Sequence, residues 1–128
     1  MSRGFVKEDD QEEAPFIPPR AALPEGVDNW VTEEGLGALK AERAELLEQR
    51  RAADSLVPKE KRRTQTVIDA QLQALDERID RAQVHQPVQN PQVVQFAQRV
   101  TYREMGGKPA FELKIVGVDQ ADLKANKV

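Results

Sequence analysis

Asp54 and Glu60 are the only carboxylates in residues 50–63, a stretch that otherwise gathers Arg50, Arg51, Lys59, Lys61, Arg62 and Arg63. Six positive against two negative side chains give a local net charge of +4 in a chain whose total is −3. Carboxylates held close together on a turn are the ligands a hard cation such as Mg²⁺ requires, whereas ammonium and guanidinium groups repel such an ion and attract phosphates or acidic surfaces. The stretch therefore reads either as a solvated polar turn or as a contact point for nucleic acid, a nucleotide or an acidic protein channel. Asp54 and Glu60 are the candidate acids, and the six cations are the candidate contacts. Little else offers chemistry. The chain has no cysteine and one histidine, His85, which removes disulfides, thiolate catalysis, Cys-ligated metals and the usual His-based triads. No cofactor and no metal of the chain's own are expected, and the chain does not read as an enzyme.

The elements that must carry this stretch follow from composition and periodicity. The chain has 128 residues, enough for one domain or for a small domain with an extended element. No apolar run approaches the roughly 18 residues of a membrane helix, and the polar N-terminus is unlike a signal peptide, so no membrane contact and a cytoplasmic location are expected. Residues 1–29 combine the acids Glu8, Asp9, Asp10, Glu12 and Glu13 with Pro15, Pro18, Pro19 and Pro24. Such a segment buries too little apolar surface to offset the entropy of ordering, so it is read as a flexible, disordered tail, either simply solvated or docking onto a basic partner surface.

Residues 30–85 read as a long antiparallel helical hairpin with its tip at about 51–62. Thr32 followed by Glu33 and Glu34 is an N-cap with acids in the first turn, and Leu36, Leu39, Leu46 and Leu47 follow at helical spacing. Pro58 suits the first turn of a second helix, expected over 58–84, in which Ile68, Leu72, Leu75, Ile79 and Ala82 form a 4-3-4-3 heptad stripe. Two narrow apolar stripes joined by a short turn pair most simply as a coiled-coil hairpin. Residues 86–92, with Pro87 and Pro91, form a linker. Residues 93–128 read as a small antiparallel β unit whose core is Phe96, Val100, Tyr102, Phe111, Leu113 and Ile115, turned at 105–109, with a possible third strand near Lys127 and Val128. The fold class is thus α+β. Trp30 is read as an anchor between tail and hairpin rather than a binding-site aromatic, and His85 as a dipole partner at the end of the second helix or simply exposed.

With these motifs in order, the sequence resembles the bacterial Gre-type transcript-cleavage factors, in particular a GreA/GreB-like branch. The resemblance is carried by residues 1–10 (Met-Ser-Arg-Gly-Phe-Val-Lys-Glu-Asp-Asp), Pro18-Pro19-Arg20, Leu23-Pro24-Glu25-Gly26, residues 31–36 (Val-Thr-Glu-Glu-Gly-Leu), the hairpin, and residues 115–122 (Ile-Val-Gly-Val-Asp-Gln-Ala-Asp). It implies a coiled coil that enters the secondary channel of RNA polymerase and an FKBP-like β domain at the channel rim, with indirect contact to the DNA and RNA of the elongation complex. Two departures are visible. Cleavage-stimulating members share an acidic tip, Gly-Asp-Leu-Ser-Glu-Asn-Ala-Glu-Tyr, whose acids help hold a catalytic Mg²⁺ that belongs to the polymerase. Here only Asp54 loosely matches, and Glu60 sits among cations. The family's closing helix and strands also lie beyond Val128, so the FKBP-like unit over 93–128 is expected to be incomplete.

The implied function is a transcription elongation factor that binds RNA polymerase and modulates or inhibits it rather than strongly stimulating cleavage. The alternative is a coiled-coil interaction module without polymerase binding, self-associating through the heptad seam or exposed β edges. Prolyl isomerase activity would rest on fold analogy alone, with few aromatics to line a proline pocket.

Overall fold

The computed structural model describes residues 14–107 and 109–128. The acid cluster from Glu8 to Glu13 lies outside the described residues. The chain is α+β: β1 (Asn29–Val31), α1 (Glu33–Ala52), a 3₁₀ turn (Ala53–Ser55), α2 (Pro58–Arg81), β2 (Ala82–Val84), β3 (Arg99–Tyr102) and β4 (Phe111–Lys114), then 3₁₀ turns at Val118–Gln120 and Leu123–Ala125.

Both helices begin as the sequence expects. Thr32 Oγ1 accepts the Gly35 N–H at 2.9 Å, capping α1, and Pro58 occupies the first turn of α2, where its missing N–H costs nothing. At 20 and 24 residues the helices are about 30 and 36 Å long. They pack antiparallel, with Val31, Leu39, Leu46, Ile68 and Leu75 as the buried cluster and Leu36, Leu72, Ile79 and Ala82 packed against it. Leu75 is fully buried. Leu47 turns outward. Arg43 Nε donates to Asp76 Oδ1 and Arg50 Nε to Asp69 Oδ1, both at 2.7 Å. A step of seven residues down one helix is thus matched by seven up the other, which fixes the register.

The hairpin ends sooner than expected. Instead of helix to residue 84, the chain leaves α2 at Arg81 and forms β2, which pairs in parallel with β1: Asn29 opposite Ala82, Trp30 opposite Gln83, Val31 opposite Val84. The His85 N–H donates to the Val31 carbonyl at 2.9 Å and extends the ladder. Three-residue strands are too short to display a period, so the helical pattern masked them. The tail boundary at residue 29 is corrected as well. Asn29 is buried, and its Nδ2 donates to the Arg78 carbonyl at 3.0 Å, satisfying one of the orphan acceptors in the last turn of α2. Arg20 and Ala21 are also fastened to the helices.

No regular structure spans 85–98, a longer connection than the expected linker at 86–92. β3 and β4 pair antiparallel, Arg99 with Lys114 through Tyr102 with Phe111, and the turn between them places Gly106 and Gly107 at positive φ, which suits residues without a Cβ. The expected core of this unit needs correction. Tyr102 and Phe111 are about half exposed, 45% and 48%, and stack on one another with ring centroids 5.5 Å apart. Phe96, Val100, Leu113 and Ile115 are half-buried, and the buried positions are Ala97 and Val116. A pair of strands has no second layer to cover the face at its turn end. The last residues do return to the sheet as a third edge: Lys114 N–H donates to the Asn126 carbonyl at 2.8 Å, Val128 N–H to Lys114 at 2.9 Å and Val116 N–H to Val128 at 2.7 Å.

Candidate functional site

The tip is built from the end of α1, the 3₁₀ turn and the start of α2. Arg50 and Arg51 close α1, where cations favour the negative end of the helix dipole. Ala53, buried beneath the turn, lets the chain fold back tightly. The Leu56 N–H donates to the Ala53 carbonyl at 3.0 Å, and Ser55 Oγ donates to the Ala52 carbonyl at 3.0 Å. Leu56 and Val57 are extended, and the Lys61 N–H donates to the Val57 carbonyl at 2.8 Å as α2 begins. The two apolar side chains at this point are exposed, 40% for Leu56 and 60% for Val57.

The charged groups here are sorted into pairs. Arg50 spans the helices to Asp69, with Nε on Oδ1 at 2.7 Å and Nη2 on Oδ2 at 3.4 Å. Its hydrogen bond holds the Asp69 carboxyl below the ordinary carboxylate range and raises the Arg50 guanidinium. Arg51 pairs with Glu48 at 3.0 Å. Asp54 Oδ1 accepts from Gln65 Nε2 at 3.2 Å and lies 3.3 Å from Lys61 Nζ. Glu60 is exposed in the first turn of α2, next to exposed Lys59 and Arg62 and half-buried Lys61 and Arg63. Counting Glu48 and Asp69 with the tip lowers its net charge from +4 to +2.

Asp54 Oδ1 is engaged by an ammonium group and an amide, and most of the charged side chains near it are cationic, which makes a poor donor set for a hard dication. Among the described residues, no group of three or more His, Cys, Asp or Glu could hold a metal ion. The arrangement can instead meet anionic oxygens, with an exposed apolar pair at its apex.

The opposite end holds a second polar site that sequence reasoning missed. The buried Asp119 carboxylate accepts from Arg78 Nη1 at 3.0 Å on both oxygens and from Arg20 Nη1 at 2.7 Å. Arg78, only 9% exposed, also donates through Nη2 to the Ala21 carbonyl, and Arg20 pairs through Nη2 with Glu42. Burial works to lower the Arg20 pKa, but Glu42 and Asp119 together outweigh it and the value is raised. Gly117 lies so close to β1 that a Cβ there would come within 2.2 Å of the Trp30 carbonyl oxygen. Thr32 Oγ1 donates to Gln120 Oε1 at 2.6 Å, while Lys114 Nζ and Gln120 Nε2 donate to Glu34 at 3.2 and 3.3 Å. The Lys114 hydrogen bond lowers the Glu34 pKa. One signal in the sequence could have found this site. Arg78 falls three residues after Leu75 and four before Ala82, a charge on the edge of an apolar stripe.

At this end the Trp30 ring stacks on His85 at 4.1 Å and meets Phe96 edge-on at 5.8 Å. His85 is thereby a half-buried aromatic partner beyond β2, neither simply exposed nor a dipole partner in the last turn of α2, which ends at Arg81. Beside Trp30 an open cleft of about 570 Å³ is walled by Leu23, Pro24, Val27, Phe96 and Val118. Among the described residues no helix is long and apolar enough to cross a membrane. No protein-family model matches the chain, and no curated protein matches it.

Proposed function

We propose that this protein is a Gre-type elongation factor that binds RNA polymerase and presents its helical hairpin, as a coiled coil, to the secondary channel, where it modulates or inhibits transcription rather than donating metal ligands. The observation that carries the reading is the division of labour along the helices. One end is tied down by a buried ion-pair node, and the other projects a narrow, cation-rich turn. A rod of about 30 to 36 Å is longer than its own core requires, and length of this kind is useful for reaching into a partner. Residues 93–128 would serve as a partial FKBP-like unit near the channel rim, and contact with nucleic acid would come through the elongation complex. Engagement of Asp54 by Lys61 and Gln65 favours occupancy over stimulated cleavage. The deciding experiment is transcript cleavage and elongation by backtracked RNA polymerase with and without the protein. Binding with slowed elongation and no added cleavage is the expected result, whereas strong cleavage abolished by Asp54→Ala would overturn the inhibitory reading.

A second reading, self-association, is favoured by one observation: the stacked Tyr102 and Phe111 and the fully exposed Met105 leave apolar surface at the turn end of a thin sheet. Sedimentation equilibrium separates the readings. A monomer at all concentrations removes self-association, and a dimer lost on Tyr102→Ser with Phe111→Ser supports it.

A further inference from the structure

β3 has a neighbour on one side only. β4 lies between β3 and the segment 126–128, and among the described residues no strand pairs with the other edge of β3. The pairing shows which backbone groups that edge presents. The Lys114 N–H donates to the Asn126 carbonyl and the Lys114 carbonyl accepts from the Val128 N–H, so both point away from β3. Arg99 stands opposite Lys114 and is therefore in a non-hydrogen-bonded pair, with its own N–H and carbonyl facing outward. Two residues on, the Thr101 N–H and carbonyl do the same. The open edge thus offers two donors and two acceptors in ladder geometry, the row of groups that takes up another strand.

Side chains divide this edge into two faces. Val100 and Tyr102 lie on one, with their partners Leu113 and Phe111, and all four are apolar or aromatic. Arg99 and Thr101 lie on the other and are exposed. Arg99 donates through Nη1 to Glu112 Oε1 at 2.9 Å, which leaves further guanidinium N–H groups for a second acceptor. Arg103, next in the odd-numbered series, is exposed, and no ion pair holds it among the described residues. A strand added here sets its side chains directly beside these, apolar ones next to Val100 and Tyr102 and charged ones next to Arg99 and Arg103. A second copy of this chain would bring its own Arg99 and Arg103 to the edge, so the cations oppose self-pairing and favour an acidic visitor.

We infer that the free edge of β3 is a docking site for an extended segment of another protein that alternates apolar and acidic residues. The segment adds as a further strand, with its acids beside Arg99 and Arg103 and its backbone bonded to Arg99 and Thr101. The site is separate from the hairpin tip and independent of any contact with RNA polymerase. It uses the edge of the sheet, not the exposed Tyr102 and Phe111 rings through which two copies would meet.

A fluorescein-labelled peptide of three Glu-Val repeats tests the site on the full-length protein by fluorescence anisotropy at about 50 mM salt, where surface charges still attract. Saturable binding is expected. Two N-methylated peptides separate strand addition from charge attraction, because methylating the glutamate amides removes one alternate row of donors and methylating the valine amides removes the other. One of the two should weaken binding about tenfold and the other should leave it nearly unchanged, since a single row faces β3. Thr101→Pro deletes an outward N–H that β4 does not use, and should weaken binding to a similar degree while circular dichroism stays that of the parent. Arg99→Glu with Arg103→Glu should weaken it too, and this variant should prefer a Lys-Val peptide over the Glu-Val one. No saturable binding up to about 1 mM peptide, equal loss with both methylated peptides, or loss with neither would overturn the inference. So would peptide affinity that drops as protein concentration rises, because a second copy would then hold the edge. The methylated peptides need no variant protein, so the test survives if a substitution unfolds the chain.

Discussion

The base and the tip of the hairpin use the same chemistry, arginine and lysine against aspartate and glutamate, to opposite ends. At the base Asp119 is removed from solvent and held by two guanidinium groups, so each partner depends on the others to offset its desolvation. At the tip Asp54, Asp69 and Glu48 pair with Lys61, Arg50 and Arg51 while water still reaches all of them. Exposed pairs of this kind contribute little to folding, because solvent screens them and long side chains must be ordered to form them. Burial therefore decides what a charge pair is for. The base uses its charges to fix the segment at Arg20 and Ala21, α2 and the segment after β4 to one another, and the tip leaves its charge pairs open to solvent.

The contrast is broken most forcefully at Asp119. Replacing it with Ala should leave Arg78 buried without its carboxylate and destabilise the fold by about 3–5 kcal/mol, measured by urea unfolding. A loss below about 1 kcal/mol would mean that water reaches the node and that base and tip do not differ. Gly117→Ala comes next. Its Cβ would collide with the Trp30 carbonyl, and the forced shift should cost about 1–3 kcal/mol, visible as a lower melting temperature.

Acid should separate the two ends more gently. The Asp69 carboxyl is depressed by Arg50 and the Glu34 carboxyl by Lys114. Both contribute stability that is complete above the unfolded carboxylate value of about 4 and is lost as pH falls through the lower folded values. Helicity followed by circular dichroism should therefore decline below about pH 4, and Asp69→Asn should flatten its share of that decline. The smallest effect belongs to Asp54→Ala, expected within about 0.5 kcal/mol of the parent in the same urea assay. A large loss there would show that the turn is a folding element and not a presented surface.

How much of this was readable beforehand depends on how local the determining contacts are. The helices were legible because Thr32, Pro58 and the stripe from Ile68 to Ala82 act over a few residues, and so was the charge of the tip. The base was not, because it joins Arg20, Asn29, Arg78 and Asp119, residues scattered across most of the chain. The ring partner of Trp30, His85, could not be found from sequence, since only the return of β2 beside β1 brings the rings together. Tyr102 and Phe111 alternated as a buried face would, yet alternation reports only which residues share a side, not whether anything covers it.

The parallel pairing of β1 with β2 has a consequence for how the rod can vary. Because the chain departs from one strand and comes back on its immediate neighbour, everything between them is a detour whose two ends are already stitched. Removing or inserting one heptad in each helix would preserve both the inward face and the pairing offset that joins Arg43 to Asp76 and Arg50 to Asp69. Each such step would shorten or lengthen the rod by about 10 Å. The hairpin is in this sense an adjustable ruler mounted on a fixed clasp, and its reach can be changed without rebuilding the end that holds it.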